Sequence, residues 1–299
     1  MEPGKTEIVM GAIQMYLRAG KKVGFAISRR QVVLEIKERM KAAFPILHVI
    51  AVCEGFTDVS DGDLIVCTMH QLYRYHKTFD LLIMDEVDAF PYRDNPVLEK
   101  IALHASIGEI IYLTATPSEE MIEQTQAGSL QLVELFQRPH GYPLIVPEVK
   151  WGLPFMQICF LFYVLRKQHK KNKQTLVFVP TIAMANKLQR RLRFIIRCAA
   201  FTSKTKDKEK IITNFHDHLY EALICTTILE RGITIKGVDV VILNADHPVF
   251  NEASLIQIIG RVGRNIEMPT GKGWFLCSKK TRDIKRCIIA LHKMNGGTT

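Results

Sequence analysis

Phe79-Asp80-Leu81-Leu82-Ile83-Met84-Asp85-Glu86-Val87-Asp88 is the stretch on which the fold turns. Apart from Asp80 its first six residues are apolar, and a continuous run of that length is what a strand buried on both faces of a parallel sheet requires. The run passes without a linker into Asp85, Glu86 and Asp88. Carboxylates therefore fall at the carboxyl edge of the strand, where open α/β sheets bind their ligands. A hydrolase of nucleoside triphosphates needs such a pair: one carboxylate holds Mg²⁺ through its water shell, and a neighbour orients the attacking water. That assigns Asp85 to the metal and Glu86 to the water. Taken alone, the four residues fit a polar loop after a strand just as readily.

Outward from this strand the same pattern repeats. Lys22–Ile27, Leu47–Val52, Leu64–Cys67 and Ile110–Leu113 are short apolar runs, separated by helical periodicity in Glu7–Leu17, Gln31–Phe44 and Asn95–Ala105. Pro139, Pro143 and Pro147 then interrupt the alternation, because prolines remove backbone donors and disfavour helix before them. It resumes with strands at Thr175–Val179, Ala199–Thr202, Ala222–Thr226, Val238–Leu243 and Gly273–Cys277. Helical patterns lie between them at Phe155–Lys171, Ile182–Phe194, Lys206–His216, Glu252–Arg264 and Arg282–Lys293. The expected fold class is α/β, two doubly wound parallel-sheet domains in tandem, over residues 1–145 and 146–299.

Composition supports this. With 299 residues, 47% hydrophobic and 23% charged, the chain is long enough for two cores and unlike disordered, collagen-like or coiled-coil sequences. Its seven cysteines are scattered, with no C-x-x-C pair, so neither a disulfide framework nor a zinc ribbon is readable, and a reducing cytosol fits best. The longest apolar run, Trp151–Leu165, contains Gln157 and falls short of the roughly 20 residues of a membrane span. No signal peptide is readable at the N-terminus.

The net charge of +10 is unevenly spread. Arg166–Lys210 holds 14 basic residues against Asp207 and Glu209, a local +12. A stretch of one sign is the footprint of a protein that meets phosphate backbones, although a solvated helix face fits the run equally well.

Four further groups accompany the acidic motif. Gly4-Lys5-Thr6 opens the first helix, where Lys5 could reach the β and γ phosphates and the Thr6 hydroxyl could ligate Mg²⁺. Thr114-Ala115-Thr116 follows the Ile110–Leu113 strand, two hydroxyls suited to coupling bound nucleotide to movement. Arg231-Gly232-Ile233-Thr234 sits in a strand-end loop of the second domain. Gln257-Ile258-Ile259-Gly260-Arg261-Val262-Gly263-Arg264 places Arg261 and Arg264 at i, i+3 on one helical face, as fingers on a γ-phosphate would be.

In this order the set resembles the superfamily 2 helicases. Asp85–Tyr92, Thr68–Leu72, Leu176–Thr181 and Asn244–Pro248 extend the resemblance over nearly the whole chain to the ComFA-type ATPases of bacterial DNA uptake. The resemblance implies two RecA-like domains and the cofactors ATP and Mg²⁺. It implies that Gly4, Lys5, Thr6, Asp85, Glu86, Gly232 and Arg264 bind or hydrolyse MgATP, with Gln257 and Arg261 closing the site. Thr114 and Thr116 would couple the site to motion, while Arg29, Thr68, His70 and Thr226 would contact the backbone of single-stranded DNA. Other DNA-uptake proteins are the implied partners, in a cytoplasmic setting peripheral to the inner membrane face.

Two departures stand out: Ser28 occupies a family proline position, and the first glycine of G-x-x-x-x-G-K-[ST] would fall ahead of Met1. The sequence is therefore expected to begin inside the nucleotide loop, leaving the first domain without its N-terminal part. A different superfamily 2 DNA or RNA helicase, or a nucleic-acid-binding fragment without ATPase activity, fits the same residues.

Overall fold

The computed structural model describes residues 3–88, 90–134, 141–227, 237–263 and 268–296, with side chains from residue 8 onward. Two compact units result, Met1–Val133 and Glu134–Thr299.

In the first unit α1 (Pro3–Arg18), β1 (Val23–Ile27), α2 (Arg30–Ala43), β2 (Val49–Val52) and β3 (Leu64–Thr68) are followed by a 3₁₀ helix, Met69–Arg74. Then come β4 (Phe79–Asp85), α3 (Pro96–Ala105), β5 (Ser106–Leu113) and α4 (Glu119–Gln126). The five strands are parallel in the order β2-β3-β1-β4-β5. Because side chains alternate along a strand, β1 and β4 feed two cores. Phe25, Leu81 and Ile83 pack with Val9 and Ile13 of α1 on one face, whereas Ala26, Leu82 and Met84 pack with Leu98 and Ala102 of α3 on the other.

β5 begins at Ser106, four residues before the expected start. Gly108 and Glu109 disguise this section, and the glycine is there for space: a Cβ on it would stand 2.1 Å from the Asp80 carbonyl oxygen, beside the register shift between Phe79 and Leu81.

The second unit contains β6 (Glu148–Trp151), α5 (Pro154–His169), β7 (Thr175–Phe178), α6 (Ile182–Leu192), β8 (Cys198–Phe201) and α7 (Lys208–His216). It continues with β9 (Ala222–Cys225), β10 (Asp239–Leu243), α8 (Glu252–Ile259), β11 (Gly273–Cys277) and α9 (Arg282–Met294). Its parallel sheet has the order β6-β11-β10-β7-β9-β8. Leu161, Val164, Leu188 and Leu192 of α5 and α6 cover one face; Phe215, Leu255, Ile284 and Leu291 of α7, α8 and α9 cover the other.

The compact units divide at Val133/Glu134 rather than at 145/146. Leu144, Ile145 and Val146 pack on the second core, and the Asn295 side chain binds both the N–H (2.7 Å) and the carbonyl (2.9 Å) of Leu144. Pro143 and Pro147 thus lie in a segment that already belongs to the second unit. A second correction concerns α8, which ends at Ile259. The helix expected over Glu252–Arg264 stops there: Gly260 caps it and Gly263 adopts φ +66°, a left-handed conformation that glycine tolerates and a continuing helix does not. Arg264 itself lies outside the described residues.

Among the described residues no helix is long and apolar enough to cross a membrane. Six cysteines are buried and Cys159 is exposed. Burial pushes the Cys67 thiol up to about 12 and Cys198 to about 11. Since thiolate is the reactive form, an aromatic disulfide reagent at neutral pH should label the native chain rapidly once, at Cys159, and at the remaining cysteines only on denaturation. Rapid labelling of several native cysteines, read by mass spectrometry, would contradict this packing.

Candidate nucleotide and nucleic-acid site

In a parallel sheet every strand delivers its last residue to the same edge. Ser28 and Arg29 follow β1, Thr68 ends β3 and His70 lies in the 3₁₀ helix after it, Asp85 ends β4, and Thr114 to Thr116 follow β5. α1 reaches this edge too: only four residues separate Arg18 from Val23 at the opposite end of β1, so the start of the helix points toward the carboxyl edge. The side chains of Gly4, Lys5 and Thr6 in its first turn lie outside the described residues.

Asp85 is 1% exposed at the end of the central strand β4. Glu86 follows with φ +59°, a left-handed turn that redirects its side chain out of the strand path. The hydroxyl of Ser28 donates to Glu86 Oε2 at 3.3 Å, tying the tip of β1 to the acidic loop. On the other flank the N–H of Val87 donates to the carbonyl of Leu113 at 3.4 Å. Thr116 Oγ1 donates to Asp88 Oδ2 at 3.3 Å, and the Thr116 N–H donates to Thr114 Oγ1 at 3.0 Å. The structure thus joins the acidic loop to both neighbouring strand ends.

Thr68 is half-buried as the cap of the 3₁₀ helix and His70 is exposed on it. With strand spacing of about 4.8 Å, they lie roughly 10 Å from the end of β4 across β1. Arg29 is half-buried at the start of α2. Phe90, within the extension Asp88–Tyr92, is 89% exposed, whereas Tyr92 is buried in the core below. A large apolar side chain left in solvent beside this edge had no signal in the hydrophobic pattern, which expects Phe inside.

In the second unit Thr226 is buried directly after β9. Gln257 is half-buried in the last turn of α8, and Arg261 is 4% exposed. Burial pushes the Cys225 thiol well above its ordinary range, and the positive charge of Arg261 acts in the opposite sense. Asp246 accepts the N–H groups of Ser278 (3.2 Å) and Lys279 (3.1 Å), holding the tips of β10 and β11 together. Gly232 lies outside the described residues.

Residues 3–119 match the family model described as "Type III restriction enzyme, res subunit", and residues 156–266 match "Helicase conserved C-terminal domain". Dbp5 of S. cerevisiae, solved with RNA and ADP BeF3, shares the fold over 93% of this chain and 76% of its own, with TM-score 0.67 and 15% identity. Two parallel-sheet domains of these kinds in tandem define an ATP-dependent helicase of superfamily 2.

Competence protein ComFA of Streptococcus pneumoniae is 37% identical over 98% of this chain and 70% of its own length. Competence protein ComFA of Bacillus subtilis is 32% identical over 98% and 65%. The chain belongs to the ComFA family, and it spans about two thirds of the length of these relatives.

Proposed function

We propose that the chain is the ATP-driven motor of a DNA-uptake system, moving single-stranded DNA inward during natural transformation. It works in the cytoplasm, peripheral to the inner membrane face, alongside other uptake proteins. The observation that carries this is the Asp88–Thr116 hydrogen bond. Through it the loop that senses nucleotide and the turn after β5 respond as one piece, as a motor requires and a passive binding module does not.

In this scheme the first unit holds MgATP and Glu86, oriented by Ser28, positions the attacking water. Asp85, with hard carboxylate oxygens at the sheet edge, suits Mg²⁺, which binds through one or two carboxylates and phosphate. Asp85 and Thr6 would hold the ion, and it would supply neutralising charge at the phosphates. Gly4 and Lys5 take the phosphate tail, as do Gly232 and Arg264; Gln257 and Arg261 of the second unit act on the γ-phosphate. Arg29, Thr68, His70 and Thr226 contact backbone phosphates without reading bases, which suits translocation on any sequence.

Thr116→Val keeps the shape of the side chain and removes its donor. A hydrogen bond to a charged group contributes about 1.5–3 kcal/mol, so DNA-stimulated displacement of streptavidin from biotinylated single strands should fall about tenfold to a hundredfold while nucleotide binding persists. Wild-type displacement in that variant, or stronger stimulation of ATP hydrolysis by RNA than by DNA, would sink the proposal.

A further inference from the structure

The densest parts of the basic run do not lie at the carboxyl edge that Thr226 occupies. α5 and α6 cover the same face of the second sheet, and each runs back toward the start of the next strand, β7 and β8. Their C-terminal ends, with the turns that follow, therefore stand at the amino edge of the sheet. Thr226, directly after β9, is on the carboxyl side, about one strand length, roughly 13 Å, away.

Glu221 makes the two basic ends one surface. Its carboxylate binds His169 Nδ1 of α5 at 2.8 Å and Arg197 Nε, just before β8, at 3.0 Å. Its backbone N–H also donates to the Arg197 carbonyl at 2.7 Å. Around this staple Lys170, Lys171, Lys173, Arg190, Arg191 and Arg193 are all exposed. At the tip of the turn Phe194 is 78% exposed, with the Arg193 guanidinium 4.9 Å above its ring.

We propose that this amino-edge surface of the second unit is a separate binding site for single-stranded nucleic acid, with phosphates held by the basic cluster and a base stacked on Phe194. Three features favour this ligand. Arginine predominates around Phe194, and its planar fork pairs with phosphate and stacks on rings. An exposed ring already carrying a cation on its face is a stacking platform for an unpaired base. The Glu221 carboxylate is already engaged by His169 and Arg197. The site lies outside the carboxyl-edge path proposed above, so a strand can stay attached there while the motor edge releases it.

The test counts binding sites on the 299-residue chain by native mass spectrometry with a twelve-nucleotide oligo-dT. Two strands per chain are expected. Arg190→Glu, Arg191→Glu and Arg193→Glu together should leave one, and the overall salt slope should fall by about 2, at roughly 0.7 per lost phosphate contact. Phe194→Ala should weaken the same site about fivefold to a hundredfold, the scale of one base stack.

Lys285→Glu with Arg286→Glu on α9 should leave two strands bound. Thr68→Ala with His70→Ala should remove the other site only; if instead that pair changes nothing while the arginine variant still loses a strand, the carboxyl-edge path fails and the amino-edge site stands. A count unaffected by the arginine reversal overturns the proposal. So does a variant that keeps both strands but no longer sediments with phosphatidylglycerol vesicles, which would make the surface a lipid contact.

Discussion

Glu86→Gln should lower single-turnover ATP hydrolysis by about 10²–10⁴-fold, the usual contribution of a positioned acid–base group, and leave nucleotide affinity unchanged. The amide keeps the size of the side chain and can still accept from the Ser28 hydroxyl, which lies 3.3 Å from Glu86 Oε2, but it cannot take a proton from water. Ser28→Ala should cost far less, since it removes one partner of the carboxylate and leaves the carboxylate in place. The ordering of these two variants separates Glu86 as the group acting on the water from Ser28 as the group that orients it. Equal losses in both, or turnover retained in Glu86→Gln, would mean that another residue does the work.

Arg261→Ala should cost about 10³-fold or more in turnover, the scale of an arginine finger. Lys should not substitute, because it lacks the planar fork. Arg261 is only 4% exposed, so its loss also disturbs the second unit. Melting of the variants distinguishes the two effects. Arg261→Lys keeps the charge and most of the stem, and should melt near the wild type yet remain slow. If Arg261→Lys restores turnover, the residue acts as packed charge and not as a finger.

Legibility differed from element to element. The strand Phe79–Met84 and its carboxylate edge were readable because a run apolar on alternate positions of both sets has few other places to go. The start of β5 was not, since Gly108 is chosen by the nearby backbone of Asp80 and looks in isolation like a turn. Nor was the end of α8: Gly260 and Gly263 sit inside an otherwise helical pattern, whereas in the fold Gly260 caps the helix and Gly263 turns the chain. Ser28, noticed only as a departure from the family, proves to be a partner of Glu86.

By itself the sequence determined the α/β alternation, the presence of two parallel sheets, and which residues arrive at a strand end, because these depend on local periodicity and on where apolar runs stop. Only the tertiary structure decided which strand ends meet. Ser28 and Glu86 are 58 positions apart, and Asp88 and Thr116 are 28 apart; both pairs follow from the order β3-β1-β4-β5, which no local pattern encodes. The same holds for charge. Arg166–Lys210 reads as one basic run, but helices that return along the sheet carry its densest parts to the amino edge. A linear count of charges contains no information about edges, since the edge is set by the direction in which each helix crosses the sheet.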